Sequence, residues 1–183
     1  FLVAEWISGQ LAKRYDKPFF LACGIYRPHE PWFVPKKYFK PFPLESIQLP
    51  PAYKADDLDD LPPEGKRRGP NRYFAHIRQQ KQWKRAIQGY LASIHYADAM
   101  VGKVLAALKA GPHADNTIVV LWSDHGWHLG EKLITGKNTL WDRSTRVPLI
   151  FAGPGVTSKG RSNQPAELLD IYPTLIDLAG LSK

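Results

Sequence analysis

Residues 116–122 read NTIVVLW, and Ser123, Asp124, His125 and Gly126 follow at once. The isoleucine and valines are stiff at the first side-chain torsion, which suits a pleated strand packed inside a protein. A carboxylate and an imidazole do not belong in that apolar setting without partners. The strand must therefore end before Asp124 and release the next residues at a polar edge. Gly126 lets the backbone turn away there. In layered α/β proteins ligands collect just beyond the carboxyl ends of strands. Asp124 and His125 stand at such a place, and their oxygen and nitrogen suit half of a metal site.

Apolar spacing along the rest of the chain predicts helices alternating with short strands. Leu2, Val3, Trp6, Ile7 and Leu11 outline a helix face within residues 1–15. KPFFLACGIY (17–26) reads as a strand buried on both faces, which makes Cys23 a core residue. Residues 28–75 are proline-rich and irregular, with DDLDD at 56–60 and KRR at 66–68, and read as a surface insertion or a substrate-shaping lid. A long helix is predicted over 77–110, where Ile87, Leu91, Ile94, Asp98, Val101, Leu105 and Leu108 share one stripe. Asp98 on that stripe calls for an internal hydrogen bond, and Gly111 and Pro112 stop the helix. Another strand lies in 146–155, and a helix in 165–181 with Pro173 as a possible break. This order predicts an α/β fold with helices covering both faces of a mainly parallel sheet. Three strands make that sheet narrow, so further strands are expected upstream of Phe1.

The chain has 183 residues, enough for one domain. Its 25 Lys and Arg outnumber 17 Asp and Glu, and the net charge of +8 favours anionic partners. No zinc-finger or RNA-binding signature accompanies that charge, so nucleic acid is not expected. Cys23 is the single cysteine, which excludes an internal disulfide. No run reaches the ~18 apolar residues of a membrane span. The chain starts at Phe1 with an acidic Glu5, and its sole methionine is Met100, which together predict a processed product or a fragment.

Three more residues join the candidate site. His29, in RPHEP, follows the predicted strand at 17–26 and can reach the same sheet edge. Lys137 lies 13 residues after Asp124 in LITGKN, where an ammonium can hold an anionic oxygen. His128 follows closely after His125, and its surroundings decide whether it meets a ligand.

Four segments in order, PFFLACGIYRPHEPW, YLASIHYADAMVGKVLAAL, SDHGWHLGEKLITGKNTLWDRSTRVPLIFAGPG and ELLDIYPTLIDLAGL, resemble the type I sulfatases of the alkaline-phosphatase-like superfamily. The likeness is to the branch of iduronate-2-sulfatase and similar bacterial enzymes. It implies a three-layer α/β/α sandwich, here incomplete, with residues 1–183 as part of a sulfatase catalytic domain. It implies that Asp124 and His125 ligate a divalent cation, calcium by family habit, with manganese or zinc as alternatives suited to an imidazole ligand. Lys137 and His29 would contact the sulfate and act in catalysis, and His128 would bind substrate. Many relatives carry histidine where this chain has Lys132. The family nucleophile is a formylglycine made in a C/S-x-P-x-R motif. CGIYR at 23–27 departs from that pattern at Ile25, so the nucleophile and further acidic ligands are expected upstream, in another part of the same domain. The implied activity is hydrolysis of sulfate monoesters, including those of sulfated glycans, with this chain inactive alone. The implied compartment is periplasmic or extracellular. The same residues also fit a phosphonate or phosphodiester hydrolase of the superfamily, or an anion-binding module without catalysis.

Overall fold

The computed structural model describes residues 1–157 and 160–182. Its spine is a pair of packed helices, α1 (Leu2–Leu11) and α4 (Trp83–Ala110). Ala4, Ile7 and Leu11 recur every three to four residues and are buried. Leu2, Val3 and Trp6 of the predicted face instead point outward. The reason is the direction of α4, which meets only the Ala4–Leu11 stripe. At the far end the chain passes so close that a Cβ on Gly111 would stand 2.5 Å from the Leu11 carbonyl oxygen.

Between these helices lie α2 (Pro63–Lys66) and α3 (Arg72–Gln79). The helix predicted over 77–110 is thus two helices, separated at 80–82, where Lys81 adopts a left-handed backbone with φ 55°. Residues 36–47 form two single-turn helices that wrap α4, burying Tyr38 and Ile47. Tyr38 meets His95 and Tyr96 edge-on, and Gln88 Nε2 donates to the Phe42 carbonyl at 2.7 Å. The proline-rich stretch is therefore anchored by a few buried residues, such as Tyr38 and Ile47, while most of it is exposed. Among the described residues α4 is the one helix long and apolar enough to cross a membrane, but here it serves as the post on which α1 and this wrap are mounted.

The buried face of α4 is Ile87, Gly89, Ala92, Ser93 and Met100. The predicted stripe is rotated partly out: Ile94, Asp98 and Leu105 are exposed, and Asp98 has no hydrogen bond among the described residues. A solvated carboxylate needs no internal partner, which removes the reason for one.

The sheet departs further from expectation. β1 (Val119–Trp122) pairs with β4 (Leu149–Ala152) in antiparallel register, Val119 opposite Ala152 and Trp122 opposite Leu149. β2 (His128–Leu129) and β3 (Thr135–Gly136) form a second antiparallel pair. Parallel pairing requires a crossover of a dozen or more residues, usually through a helix. The chain from β1 to β4 instead returns through the β2–β3 hairpin and α5 (Asp142–Thr145), which is a single turn. So both strand pairs among the described residues are antiparallel, and the mainly parallel sheet is not present in them. Trp122 and Ile150 are about half exposed, so β1 is not buried on both faces. Residues 17–26 form no ladder among the described residues, and Phe20 and Cys23 are exposed. Cys23 is therefore not a core residue. An apolar strand is buried only when neighbours flank it, and no described strand does.

The chain ends with α6 (Ile171–Leu178), preceded by a turn in which the Glu167 backbone N–H donates to Asp170 Oδ2 at 2.8 Å. Pro173 falls in the first turn of α6, where a missing N–H breaks no helical bond, so it does not split the helix.

Candidate active site

His29 sits in a turn that holds itself together. Its backbone N–H donates to the Tyr26 carbonyl at 3.2 Å, and Arg27 donates to the carbonyls of His29 and Phe33 at 3.3 and 3.1 Å. Trp32 closes the turn through Nε1 to the Pro28 carbonyl at 3.0 Å and packs on α4, where a Cβ at Gly89 would lie 3.2 Å from its side chain. The turn is thereby docked on the central helix.

Asp124 and His125 follow β1 directly, as expected. The Gly126 N–H donates to the Ser144 carbonyl at 2.7 Å, and a Cβ there would stand 2.1 Å from the Arg143 carbonyl oxygen. The loop bearing both side chains thus lies backbone to backbone against α5. Gly126→Ala is expected to lower stability by about 1–3 kcal/mol, because the clash is with main chain that cannot rotate away. Thermal unfolding checks this, and an unchanged melting temperature would show that the loop yields freely.

Lys137 extends from the β2–β3 hairpin, which is anchored from behind. Trp83 Nε1 donates to the Leu129 carbonyl at 2.7 Å within a cluster of Tyr53, Phe74 and Trp83 rings. Gly130, at φ 135°, passes so close to the Trp83 ring that a Cβ would fall 2.4 Å from it. Asn71 bonds both ways to Thr135, donating to its carbonyl at 2.7 Å and accepting from its N–H at 3.2 Å. Asp57 accepts from Lys132 Nζ and from the Lys132 N–H, each at 2.8 Å. Burial alone would raise the Asp57 carboxyl, but the hydrogen bonds and charge of Lys132 outweigh it and hold the group below its ordinary range. These bonds also hold the left-handed backbone at Lys132, φ 54°. Lys132 therefore serves as a brace toward the 57–74 segment.

The three elements meet at one point. Lys137 Nζ lies 2.7 Å from His29 Nε2 and 2.8 Å from His125 Nε2. Each ring's other nitrogen faces a carbonyl, Glu30 at 2.9 Å and Gly126 at 2.8 Å, so Nδ1 carries the proton in both. Both Nε2 lone pairs then point to the centre, where the ammonium donates to them. Asp124 Oδ2 lies 3.7 Å from His125 Nε2, and its side chain is 75% exposed. All four residues line one cavity of about 830 Å³, with Trp127 and Tyr26 among its walls. The predicted convergence of His29, Asp124, His125 and Lys137 is thus present.

His128 is the exception. It is fully buried, with Nδ1 3.1 Å from the Glu131 carbonyl and Nε2 2.9 Å from Thr139 Oγ1. Thr139 in turn donates to Ser144 Oγ at 2.9 Å. Both ring nitrogens are used and the cavity wall does not include it, so His128 does not reach a ligand there. It instead ties the hairpin to α5. Sequence reasoning passed over the wall residues Trp127 and Tyr26 and the Asp57–Lys132 brace. Position beside the motif marks Trp127, but nothing in the sequence pairs residues 57 and 132.

The profile of the Sulfatase family matches residues 2–181. The chain belongs to the sulfatase family. A sulfatase of Formosa agariphila is 48% identical over 182 residues, covering 97% of this chain and 35% of its own length. Human iduronate 2-sulfatase is 34% identical over 211 residues, covering 92% of this chain and 37% of its own. The sulfatase chain thus spans about a third of the length of these curated relatives. A solved structure of a protein in complex with its substrate D-glucosamine-2-N,6-O-disulfate shares the fold, with a TM-score of 0.70 at 21% identity, covering 99% of this sulfatase chain and 49% of its own.

A cation is implied by the family, and the donor set tests the fit. Asp124 offers an exposed carboxylate, whereas the His125 Nε2 lone pair is engaged by the Lys137 ammonium at 2.8 Å. No group of three or more possible ligands forms among the described residues. These two side chains do not by themselves make a coordination shell among the described residues. A calcium ion takes about six to eight oxygens, so two side chains supply a minority of them.

Proposed function

We propose that this chain is the part of a sulfuric ester hydrolase that binds and polarises a sulfate monoester. The observation that carries this reading is the position of Lys137 Nζ, 2.7 Å from His29 Nε2 and 2.8 Å from His125 Nε2. A sulfate monoester carries one negative charge, and more charge moves to the bridging oxygen as the S–O bond breaks. An ammonium held by two imidazoles opposes that charge without having to reorganise. His29 aims that ammonium through Nε2, and it would donate to the leaving oxygen only as the Nε2–H tautomer, released from Lys137. Asp124 would contribute a carboxylate to a divalent cation, which His125 would join only by giving up its bond to Lys137, and the cation would supply further positive charge to the sulfate. The nucleophile, a formylglycine by family resemblance, comes in this reading from outside these 183 residues. Half-exposed Trp122 and Ile150 on β1 and β4 support a wider α/β/α sandwich in the whole protein. The glucosamine disulfate bound by the structural neighbour supports a sulfated sugar as substrate.

The test compares the whole protein and residues 1–183 on an aryl sulfate and an aryl phosphodiester. Sulfate release by the whole protein alone is the expected result. Turnover by residues 1–183 would refute the external nucleophile, and a preference for the phosphodiester would refute the sulfatase reading.

A further inference from the structure

The positive charge of this chain is not spread over it. Residues 65–97 carry eight Lys and Arg and no Asp or Glu. Removing those eight from the 25 cations leaves 17, which the 17 acidic residues balance. The whole excess of +8 therefore resides in one stretch. All eight side chains are exposed, and none forms an ion pair among the described residues. None lines the cavity that holds Lys137.

The stretch is also firmly mounted. Asn71 caps α3 by accepting from the Phe74 N–H at 2.9 Å, and the same side chain is bonded to Thr135. Phe74 is buried at 1% exposure, and the Arg78 guanidinium lies 5.9 Å from its ring centroid. A surface kept merely for solubility mixes both signs of charge. This stretch is of a single sign over 33 residues, and its cations run from the end of α2 through α3 into the first turn of α4.

We propose that the exposed cations of residues 66–85 form a docking surface for a sulfated polysaccharide, separate from the His29–Lys137 cavity. Five of the eight are arginines, whose planar fork pairs with two oxygens of one tetrahedral anion. Strand-binding nucleic-acid surfaces interleave cations with several stacking aromatics, whereas Tyr73 is the single exposed Phe, Tyr or Trp here and His76 the one other exposed ring. The choice of sulfate over phosphate polymer rests on the sulfatase reading. The surface would hold a chain while successive esters reach the cavity.

The experiment uses the whole protein with dextran sulfate, polyglutamate and duplex DNA as probes, and an aryl sulfate as a small substrate. The variants are Arg67→Glu/Arg68→Glu and Arg78→Glu/Lys84→Glu, each checked for an unchanged melting temperature. Each variant is expected to bind dextran sulfate at least about tenfold more weakly and to keep aryl sulfate kcat/KM within about twofold. With roughly five cations engaged, wild-type affinity falls on the order of 10²-fold between 50 and 200 mM salt. Unaltered dextran sulfate binding in both variants overturns the proposal. So does wild-type binding to polyglutamate or DNA as tight as to dextran sulfate. Absent aryl sulfate turnover in wild type would refute the catalytic reading while the binding comparison still judged the surface.

Discussion

Lys137→Ala in the whole protein is expected to lower kcat/KM for a sulfate ester by about 10²–10³-fold, the scale seen when one preorganised donor is taken from a site of developing charge. The loss should fall mainly on kcat, because the ammonium opposes charge that appears as the S–O bond breaks. Two imidazole nitrogens hold Nζ at 2.7 and 2.8 Å, so no freedom is spent in aiming it. Lys137→Arg keeps the charge but cannot reproduce a single point donor between two rings. It should recover only part of the rate. Melting temperatures near wild type would show that the hairpin survives. A Lys137→Ala enzyme within about threefold of wild type would remove Lys137 from the chemistry.

The second large effect concerns stability. His128→Ala is expected to cost about 2–4 kcal/mol, since it opens a cavity at a fully buried position and strands the Glu131 carbonyl and Thr139 hydroxyl. The effect is also pH-dependent. Burial pushes the His128 imidazole down from its ordinary value of 6.5, and the Glu131 carbonyl and carboxylate only partly offset it, while Arg143 adds to the depression and Asp57 opposes it. Below that ordinary value the unfolded chain takes up a proton that the folded chain refuses. His128 therefore favours the fold fully above about pH 6.5 and progressively less as pH falls. The slope is at most about 1.4 kcal/mol per pH unit. His128→Gln, which retains a donor and an acceptor, should flatten the decline in melting temperature between about pH 6.5 and 5. Parallel declines in wild type and variant would show that other groups govern acid stability.

The residues that make the candidate site were legible because their chemistry is local. Asp124, His125 and Gly126 interrupt an apolar strand, and that interruption marks a polar edge whatever surrounds it. His29 and Lys137 were legible as candidates from their loops, RPHEP and LITGKN, and family resemblance supplied their roles, while nothing in either loop gives their mutual distance. His128 was misread because its burial depends on Thr139 and Glu131 closing over it. Cys23 and Asp98 were misread for the converse reason. Apolar neighbours in sequence promise burial, but only neighbours in space deliver it, and both side chains stand in the open here.

By itself the sequence determined the helices α1, α4 and α6, the two strands that pair as β1 and β4, and the identity of the candidate site side chains. These depend on periodicity, β-branching and side-chain chemistry, which act over a few residues. Tertiary structure alone decided that β1 and β4 pair antiparallel, that the helix breaks at Lys81, and that Asp57 braces Lys132 across 75 positions. It also brought His29 to Lys137 across 108. Such pairings are set by how packed helices and rings share space, and no local pattern in a single chain encodes a distance between segments that far apart.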